Sequence, residues 1–524
     1  MSDVSQQTKD RGIVLWLIIG VGLVFRIAQF AFDRSLWLDE SLLVTNIVSK
    51  SYKGLLGPLD HPLQFAPWPF LLVEKWAILT FGVSDHSLRL FPLVFGLLSV
   101  LMFYFAAKRI LHGSGLIVSL ILFAVSGPLI YYSSEVKQYG GDVFMVTAIY
   151  AMATHAQYKK LSTSSLVSLG LLGAIAVWLS QPAIFAIAGV LLVFFVLSWQ
   201  TKDRGSSVGV LAASVLTFAS FLLAFKYTIL PIHHSRVYMT GYEWVPLKLY
   251  RPGNLYWCIY HFFEYLRVPA GFRFVGLAAL FLFLGAYSMF KRDPARFWLL
   301  FLTGLFGLGT NMLHKYPYAE RLFLFTVPAV YLFVGEGFEY IKERTMKHSV
   351  LIWQTAAFLL LMHPIMYAAI HVIQPRERAE IKPVLAYMSR HSKPSDCVYV
   401  YHCTTWSYDF YKTAYGVQNL KVYLDDTPDF RGLPISEKPL DELKGKDRVW
   451  AVFNYDASTV NGDDESLVLN YLDRFGIQID SFHSVGAAAY LYDLSGSRHT
   501  PLIPPDHGPR SVDPGVADSR LSMR

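Results

Sequence analysis

Apolar residues in this chain gather in long unbroken blocks, and the spacing of the blocks predicts the architecture. Eleven blocks of roughly 17 to 24 residues are each long enough for a helix to cross a hydrocarbon core of about 30 Å. They fall at about 13–32, 87–107, 115–133, 139–156, 164–181, 183–199, 207–230, 271–290, 296–313, 320–338 and 349–372. The connections between them alternate in character. The short ones hold Lys108 and Arg109, Lys159 and Lys160, Lys202 and Arg204, Lys291, Arg292 and Arg296, and Lys342, Arg344 and Lys347, and Lys9 and Arg11 precede the first block. Short basic loops mark the cytoplasmic face of a plasma (inner) membrane protein. The pattern therefore predicts a cytoplasmic N-terminus and, after an odd number of spans, an extracytoplasmic C-terminal part. No cleavage-site pattern follows the first block, which reads as a retained helix.

The long connections, 33–86 and 231–270, fall on the other face. In the first, Pro67-Trp68-Pro69 opens an apolar stretch to Phe81 that carries Glu74 and Lys75. Counting it as a span would put the basic loops out of phase, so it is expected to be an interfacial helix lying along the outer membrane surface. Trp37, Trp68, Trp76, Trp244 and Trp257 sit in these loops, where indole rings favour the headgroup level.

From Arg376 the pattern becomes that of a soluble domain. It predicts helices at about 377–391, 404–414 and 464–475, with strands at about 397–402, 448–454, 477–483 and 488–493. Strands alternating with helices make a small α/β domain over 376–494. Beyond Ser495, Pro501, Pro504, Pro505, Pro509 and Pro514 read as a disordered tail. The expected fold is mostly α: a polytopic membrane helix bundle of about 11 spans over 1–375, followed by an extracytoplasmic α/β domain.

Composition agrees and narrows the class. Hydrophobic residues make up 53% and charged ones 16%, with a mean hydropathy of +0.36, whereas soluble domains are about 25% charged. The net charge of +7 is carried largely by short loops and is a topology signal, not a nucleic-acid footprint. Cys258, Cys397 and Cys403 form neither a zinc-type set nor a closed disulfide framework, and a Cys397–Cys403 pair stays open.

Three clusters could carry chemistry. Trp37-Leu38-Asp39-Glu40 follows the first block, and two adjacent carboxylates can accept a proton, bind a metal or hold sugar hydroxyls. The plain alternative is a pair of acids meeting water at a helix end. The second cluster, Tyr131 to Tyr139, holds Glu135 and Lys137 in a tight outer turn, and Asp142 begins the next block. Positive charge there has no topological explanation, and an acid inside a membrane is functional by default. A local network of Glu135, Lys137 and Asp142 weighs equally. The third, His314 to Arg321, includes Lys315 and puts a forked guanidinium at headgroup depth, suited to phosphate oxygens. Snorkelling is the alternative there, and Arg26 and Arg89 carry the same two readings. His233-His234 reads as solvated, and Asp463-Asp464-Glu465 as a helix cap. No Walker A, HExxH or GxSxG motif occurs.

In order, these pieces resemble a family. Trp37-Leu38-Asp39-Glu40 is followed by Asp60-His61-Pro62 through Phe81-Gly82, then by Ser87-Leu88-Arg89-Leu90-Phe91-Pro92. The turn Tyr132 to Tyr139 and the run Arg321-Leu322-Phe323-Leu324-Phe325-Thr326-Val327-Pro328 complete the set. Over about residues 13–372 the chain resembles bacterial family 39 type glycosyltransferases of the GT-C superfamily, relatives of protein O-mannosyltransferases and lipid A aminoarabinose transferases. It departs from them in having Lys137 where relatives often have arginine, and Leu63-Gln64-Phe65 in place of a proline- and tyrosine-rich run. The resemblance implies a sugar donor on a polyprenyl phosphate and a catalytic outer-loop aspartate, Asp39, with Glu40 beside it. Lys137, Arg321, Arg89, Lys315 and Tyr139 are then donor or phosphate contacts, and His61, Glu135 and Asp142 acceptor or supporting residues. No cofactor is expected as certain, a divalent metal stays open, and the acceptor is a lipid, glycan or protein. The rival readings are a lipid-linked sugar transporter or flippase, which would want charges at the bilayer midplane, and a polysaccharide polymerase or ligase using diphosphate donors. A third is a binding protein whose outer domain does the work.

Overall fold

The computed structural model describes residues 2–60, 64–230, 244–246, 248, 250–346, 349–425, 436–454 and 463–496. His61, His233, His234 and the expected tail beyond Gly496 lie outside the described residues. The chain divides into two compact units, Met1–Asp33 with Asn46–Arg376, and Arg34–Thr45 with Glu377–Arg524. The loop 33–86, expected to belong wholly with the membrane domain, is thus split between them.

The first unit is an integral membrane bundle, and all eleven apolar blocks are helical in it. The order is α1 (Ser2–Ala31), the last turns of α2 (Leu38–Ser49), α3 (Tyr52–Leu55), α4 (Trp68–Phe81), α5 (Asp85–Ile110), α6 (Gly113–Val125), α7 (Gly127–Tyr131) and α8 (Tyr139–Tyr158). Then come α9 (Thr163–Leu179), α10 (Ala183–Gln200), α11 (Arg204–Ala224), α12 (Pro252–Arg267), α13 (Val275–Arg292), α14 (Pro294–Met312), α15 (Val327–Thr345) and α16 (Val350–Ile373). Among the described residues seven helical stretches are by themselves long and apolar enough to cross a membrane. The bent pair α6–α7 makes an eighth if taken as one span. Of the remaining three, α9 has only 17 residues, and α8 carries Asp142 and His155.

The bend explains Arg26. Pro128 supplies no N–H to continue α6, and the Ser126 hydroxyl caps α7 by accepting from Leu129 N–H. A helix that stops inside a membrane leaves carbonyls unsatisfied. The fully buried Arg26 guanidinium donates to the Phe123 and Ala124 oxygens, both at 3.2 Å, and to the Gly22 oxygen at 2.9 Å. The headgroup reading of Arg26 is therefore overturned: it caps a broken helix.

Helix α15 is buried from Val327 through Glu339, and glycines let its neighbours approach. A Cβ at Gly337 would stand 2.0 Å from the Phe281 carbonyl oxygen, and one at Gly285 1.8 Å from that of Phe333. Close backbone approach at small residues is how membrane helices pack without a hydrophobic driving force. Gly337→Ala is expected to destabilise the bundle by about 3 kcal/mol, read as a lowered melting temperature in detergent. Gly304→Ala, whose Cβ would meet nothing within 4 Å, should melt like the parent.

Helix α4 bears out the reading of 67–81 as a helix, with Pro69 in its first turn. Lys75 Nζ donates to the Ile47 and Val48 oxygens at 2.9 and 3.0 Å, closing the end of α2. Glu74 is fully buried, neither carboxyl oxygen has a hydrogen-bond partner among the described residues, and burial pushes the carboxyl well above its ordinary range. A raised folded-state pKa means stability is fully present below the unfolded pKa and is lost as pH rises through the folded one. Glu74→Gln should remove that loss, so its melting temperature should exceed the parent's increasingly as pH climbs from about 4.5. A constant difference across pH would contradict this.

The second unit is an α/β domain on a five-stranded sheet of order β2-β1-β3-β5-β4. Its strands are β1 (Cys397–Val400), β2 (Lys421–Leu424), β3 (Val449–Asn454), β4 (Ile477–Ser484) and β5 (Ala487–Asp493). β1 runs parallel to β2 and β3, whereas β5 is antiparallel to β3 and β4. All six residues of β3 are buried, so its Val-Trp-Ala-Val-Phe-Asn run lacks polar alternation. Helices α17 (Ile381–His391), α18 (Thr405–Tyr411), α19 (Glu437–Asp441) and α20 (Asp463–Leu472) complete it. The expected elements are present, but β2 and α19 were not foreseen. Cys397 and Cys403 are free thiols, which closes the question of a pair, and burial pushes the Cys403 thiol up to about 12.

Candidate functional site

In the first unit, α5, the turn Tyr132–Ser134 and α8 pack on one another, and the 3₁₀ segment Glu320–Thr326 packs on α8. The sequence permits this because Gly96 of α5 lies against Ser133 and Gly140 of α8 against the Tyr132 carbonyl, where Cβ atoms would come within 2.3 and 3.0 Å. The rings of Tyr131, Tyr132 and Tyr139 stack edge to face at 5.2 and 5.3 Å. Tyr139 opens α8, buried against Tyr132. Glu135 and Lys137 are buried, and Lys137 Nζ donates to Gln64 Oε1 at 2.7 Å. Gln64, not singled out from the sequence, comes from the very stretch in which the chain departs from the family pattern. Its neighbour Phe65 accepts at its carbonyl from Gln138 Nε2.

Arg89 is buried in the second turn of α5, whose start is fixed by a capping box of Ser84 and Ser87. Asp142 is buried in the first turn of α8, beside Ser180. Arg321 is half-buried, in a 3₁₀ segment where an α-helix was expected. Tyr316 Oη donates to the Leu322 carbonyl at 2.8 Å, and Asn311 Nδ2 to the Tyr316 carbonyl at 2.8 Å, which holds the approach to that segment. Lys315 is exposed, next to His314 with its φ of 56°. The structure thus brings together the elements around Arg89, Glu135, Lys137 and Asp142, sets the segment of Arg321 against α8, and leaves Lys315 exposed.

Asp39 and Glu40 stand in the second unit, in the first turn of α2. The positive end of a helix dipole favours carboxylates there. Glu40 is buried and accepts the Trp37 N–H at 3.4 Å, whereas Asp39 is half-exposed. The two adjacent acids therefore differ in burial: Glu40 closes the helix start, and Asp39 is partly accessible. The segment before them is tied to the C-terminal part of the chain through Glu380, Tyr411 and Arg378. None of those three was legible as functional, since their partners are hundreds of residues away.

Among the described residues one group of metal-type side chains gathers, His112, Glu339 and Glu343, with ligand atoms within 4.8 Å of one another. It lies among short basic connections, not with any candidate above. Charge pairing already accounts for it: Glu339 accepts the Gly115 N–H, and His112 stands between Arg292 at 2.7 Å and Glu343 at 3.2 Å.

No family model and no curated protein sequence matches this chain. Solved structures do. ArnT from Cupriavidus metallidurans in the apo state shares the fold at a TM-score of 0.54 and 12% identity, covering 94% of this chain and 100% of its own. The same protein bound to undecaprenyl phosphate gives 0.53 and 13%, covering 92% and 99%. The Archaeoglobus fulgidus oligosaccharyltransferase in complex with Zn and sulfate gives 0.51 and 13%, covering 91% of this chain and 72% of that one. The chain therefore shares its fold with these transferase structures, in line with the mostly helical membrane architecture read from the sequence.

Proposed function

We propose that this protein is a membrane glycosyltransferase that moves a sugar from a polyprenyl-phosphate donor to an acceptor at the extracytoplasmic face, with inversion at the sugar carbon. The observation that carries the reading is Asp39, a half-exposed carboxylate at the amino end of a helix in a chain with the GT-C fold. A polyprenyl phosphate is too apolar to leave the bilayer, so its sugar is transferred at the membrane face. The acceptor hydroxyl or amine attacks the anomeric carbon, the bond from that carbon to the phosphate oxygen breaks, and Asp39 takes the acceptor's proton. Glu40 holds the turn that presents Asp39. Arg321 meets the leaving phosphate as its charge grows, with Arg89 and Lys137 adding positive potential from buried positions. The binding of undecaprenyl phosphate by ArnT supports a lipid-linked donor.

The test is sugar release from labelled donors by the purified full-length protein. Transfer from the polyprenyl monophosphate and none from the diphosphate is the expected result. Turnover of the diphosphate alone would replace this reading with that of a polymerase or ligase.

A further inference from the structure

We propose that the C-terminal part of the second unit positions the proton acceptor, with Glu380, Tyr411 and Arg378 fixing the backbone from which Asp39 projects. The inference rests on the role given to Asp39 above and adds to it that the sheet domain takes part in the chemical step.

The chain from Arg34 to Trp37 forms no regular secondary structure, so its amides have no ladder or helical partners of their own. Three successive N–H groups are nevertheless all bonded. Ser35 N–H donates to the Glu380 carboxylate at 2.9 and 3.2 Å, across 345 residues of sequence. Leu36 N–H donates to Tyr411 Oη at 2.9 Å, across 375 residues. Trp37 N–H turns to Glu40. The clamp closes from the other side as well: Lys382 N–H donates to Ser35 Oγ at 3.2 Å, and Lys382 Nζ to the Arg34 carbonyl at 3.4 Å. The Arg378 guanidinium covers the Trp37 ring at 4.4 Å, and Leu38 packs on the core of the sheet.

The anchors are themselves fixed. Glu380 donates its N–H to the Val485 carbonyl at 2.7 Å, in the turn between β4 and β5, and directly precedes α17. Tyr411 ends α18, and both side chains are buried. Asp39 lies two residues beyond the last clamped amide, so the start of α2 and the exit direction of its carboxylate follow from these bonds. A general base must sit within hydrogen-bond reach of its proton, and small misplacement is expensive in rate. A truncation near Gln374 would remove these long-range anchors of the segment carrying Asp39.

Full-length Glu380→Ala, Glu380→Gln, Tyr411→Phe, Arg378→Gln, Asp39→Asn and the double variant Asp39→Asn/Tyr411→Phe test the proposal. The readouts are kcat, donor KM and binding of the labelled polyprenyl phosphate. Glu380→Ala and Tyr411→Phe should each lower kcat about tenfold while KM and lipid binding stay at parental values. Glu380→Gln, which keeps an acceptor for Ser35 N–H, should recover most of the rate. The double variant should be no slower than Asp39→Asn alone, since a misplaced base that is already absent costs nothing more. Should Glu380→Ala not fold, Tyr411→Phe and Arg378→Gln carry the same comparison. A slow Asp39→Asn beside native kcat in Tyr411→Phe and the Glu380 or Arg378 variant overturns the positioning and leaves the proposed function standing. Native turnover in Asp39→Asn overturns both.

Discussion

Asp39→Asn is expected to slow sugar transfer by about 10²-fold or more, the range expected for a positioned general base, while the donor should still bind. The amide keeps the shape of the side chain and its place in the first turn of α2, but it cannot take a proton from the attacking hydroxyl. About 10²-fold corresponds to roughly 2.7 kcal/mol of barrier. Donor affinity is expected to survive because a carboxylate does not hold a lipid phosphate. Glu40→Gln makes the informative contrast. Glu40 is buried and closes the helix start through Trp37 N–H, and a glutamine oxygen can accept the same bond, so turnover should fall far less. Single-turnover transfer on each purified variant, with binding measured separately, decides it. Equal losses in the two variants would mean that neither carboxylate has the assigned role.

The sequence makes the membrane unit legible because a spanning helix is a long local signal, and all eleven apolar blocks are indeed helical. Contacts between distant segments leave no such mark. Arg26 near the end of an apolar block looks alike whether it meets a headgroup or the carbonyls of a broken helix. Only the observed break at Ser126-Gly127-Pro128, suggested in hindsight by its Gly-Pro pair, decides between them. The Trp37–Glu40 motif stands out locally, but its anchors Glu380 and Tyr411 lie 345 and 375 residues from the amides they bind. Nothing around an isolated Glu or Tyr in a soluble-looking stretch points back across that distance. β2 escaped for the opposite reason: Lys-Val-Tyr-Leu is a four-residue edge strand, shorter than the pattern that identifies a strand. Lys137 was legible as an unexplained charge, yet its partner Gln64 was not, because polar pairing across a loop has no period.

Arg321→Ala should weaken donor binding and slow the chemical step together, the opposite division from Asp39→Asn. Arg321 sits half-buried in the segment Glu320–Thr326, which Tyr316 secures at Leu322 and Tyr265 at Thr326. A guanidinium on so fixed a backbone can present a fork to two phosphate oxygens. Losing a hydrogen bond to a charged group costs about 1.5–3 kcal/mol, so donor affinity should fall by roughly ten- to a hundredfold. The rate falls further because positive charge matters most when the phosphate departs with its full negative charge. Arg321→Lys should recover part of the binding but little of the rate, since an ammonium supplies charge without the two-point grip. Screening separates this from general electrostatic attraction. An exposed cation such as Lys315 acts through a field that added salt weakens, so the effect of Lys315→Ala should vanish at high ionic strength while that of Arg321→Ala persists. Binding and transfer in low and high salt give the comparison, and an Arg321→Ala defect that salt erases would reduce Arg321 to one surface charge among others.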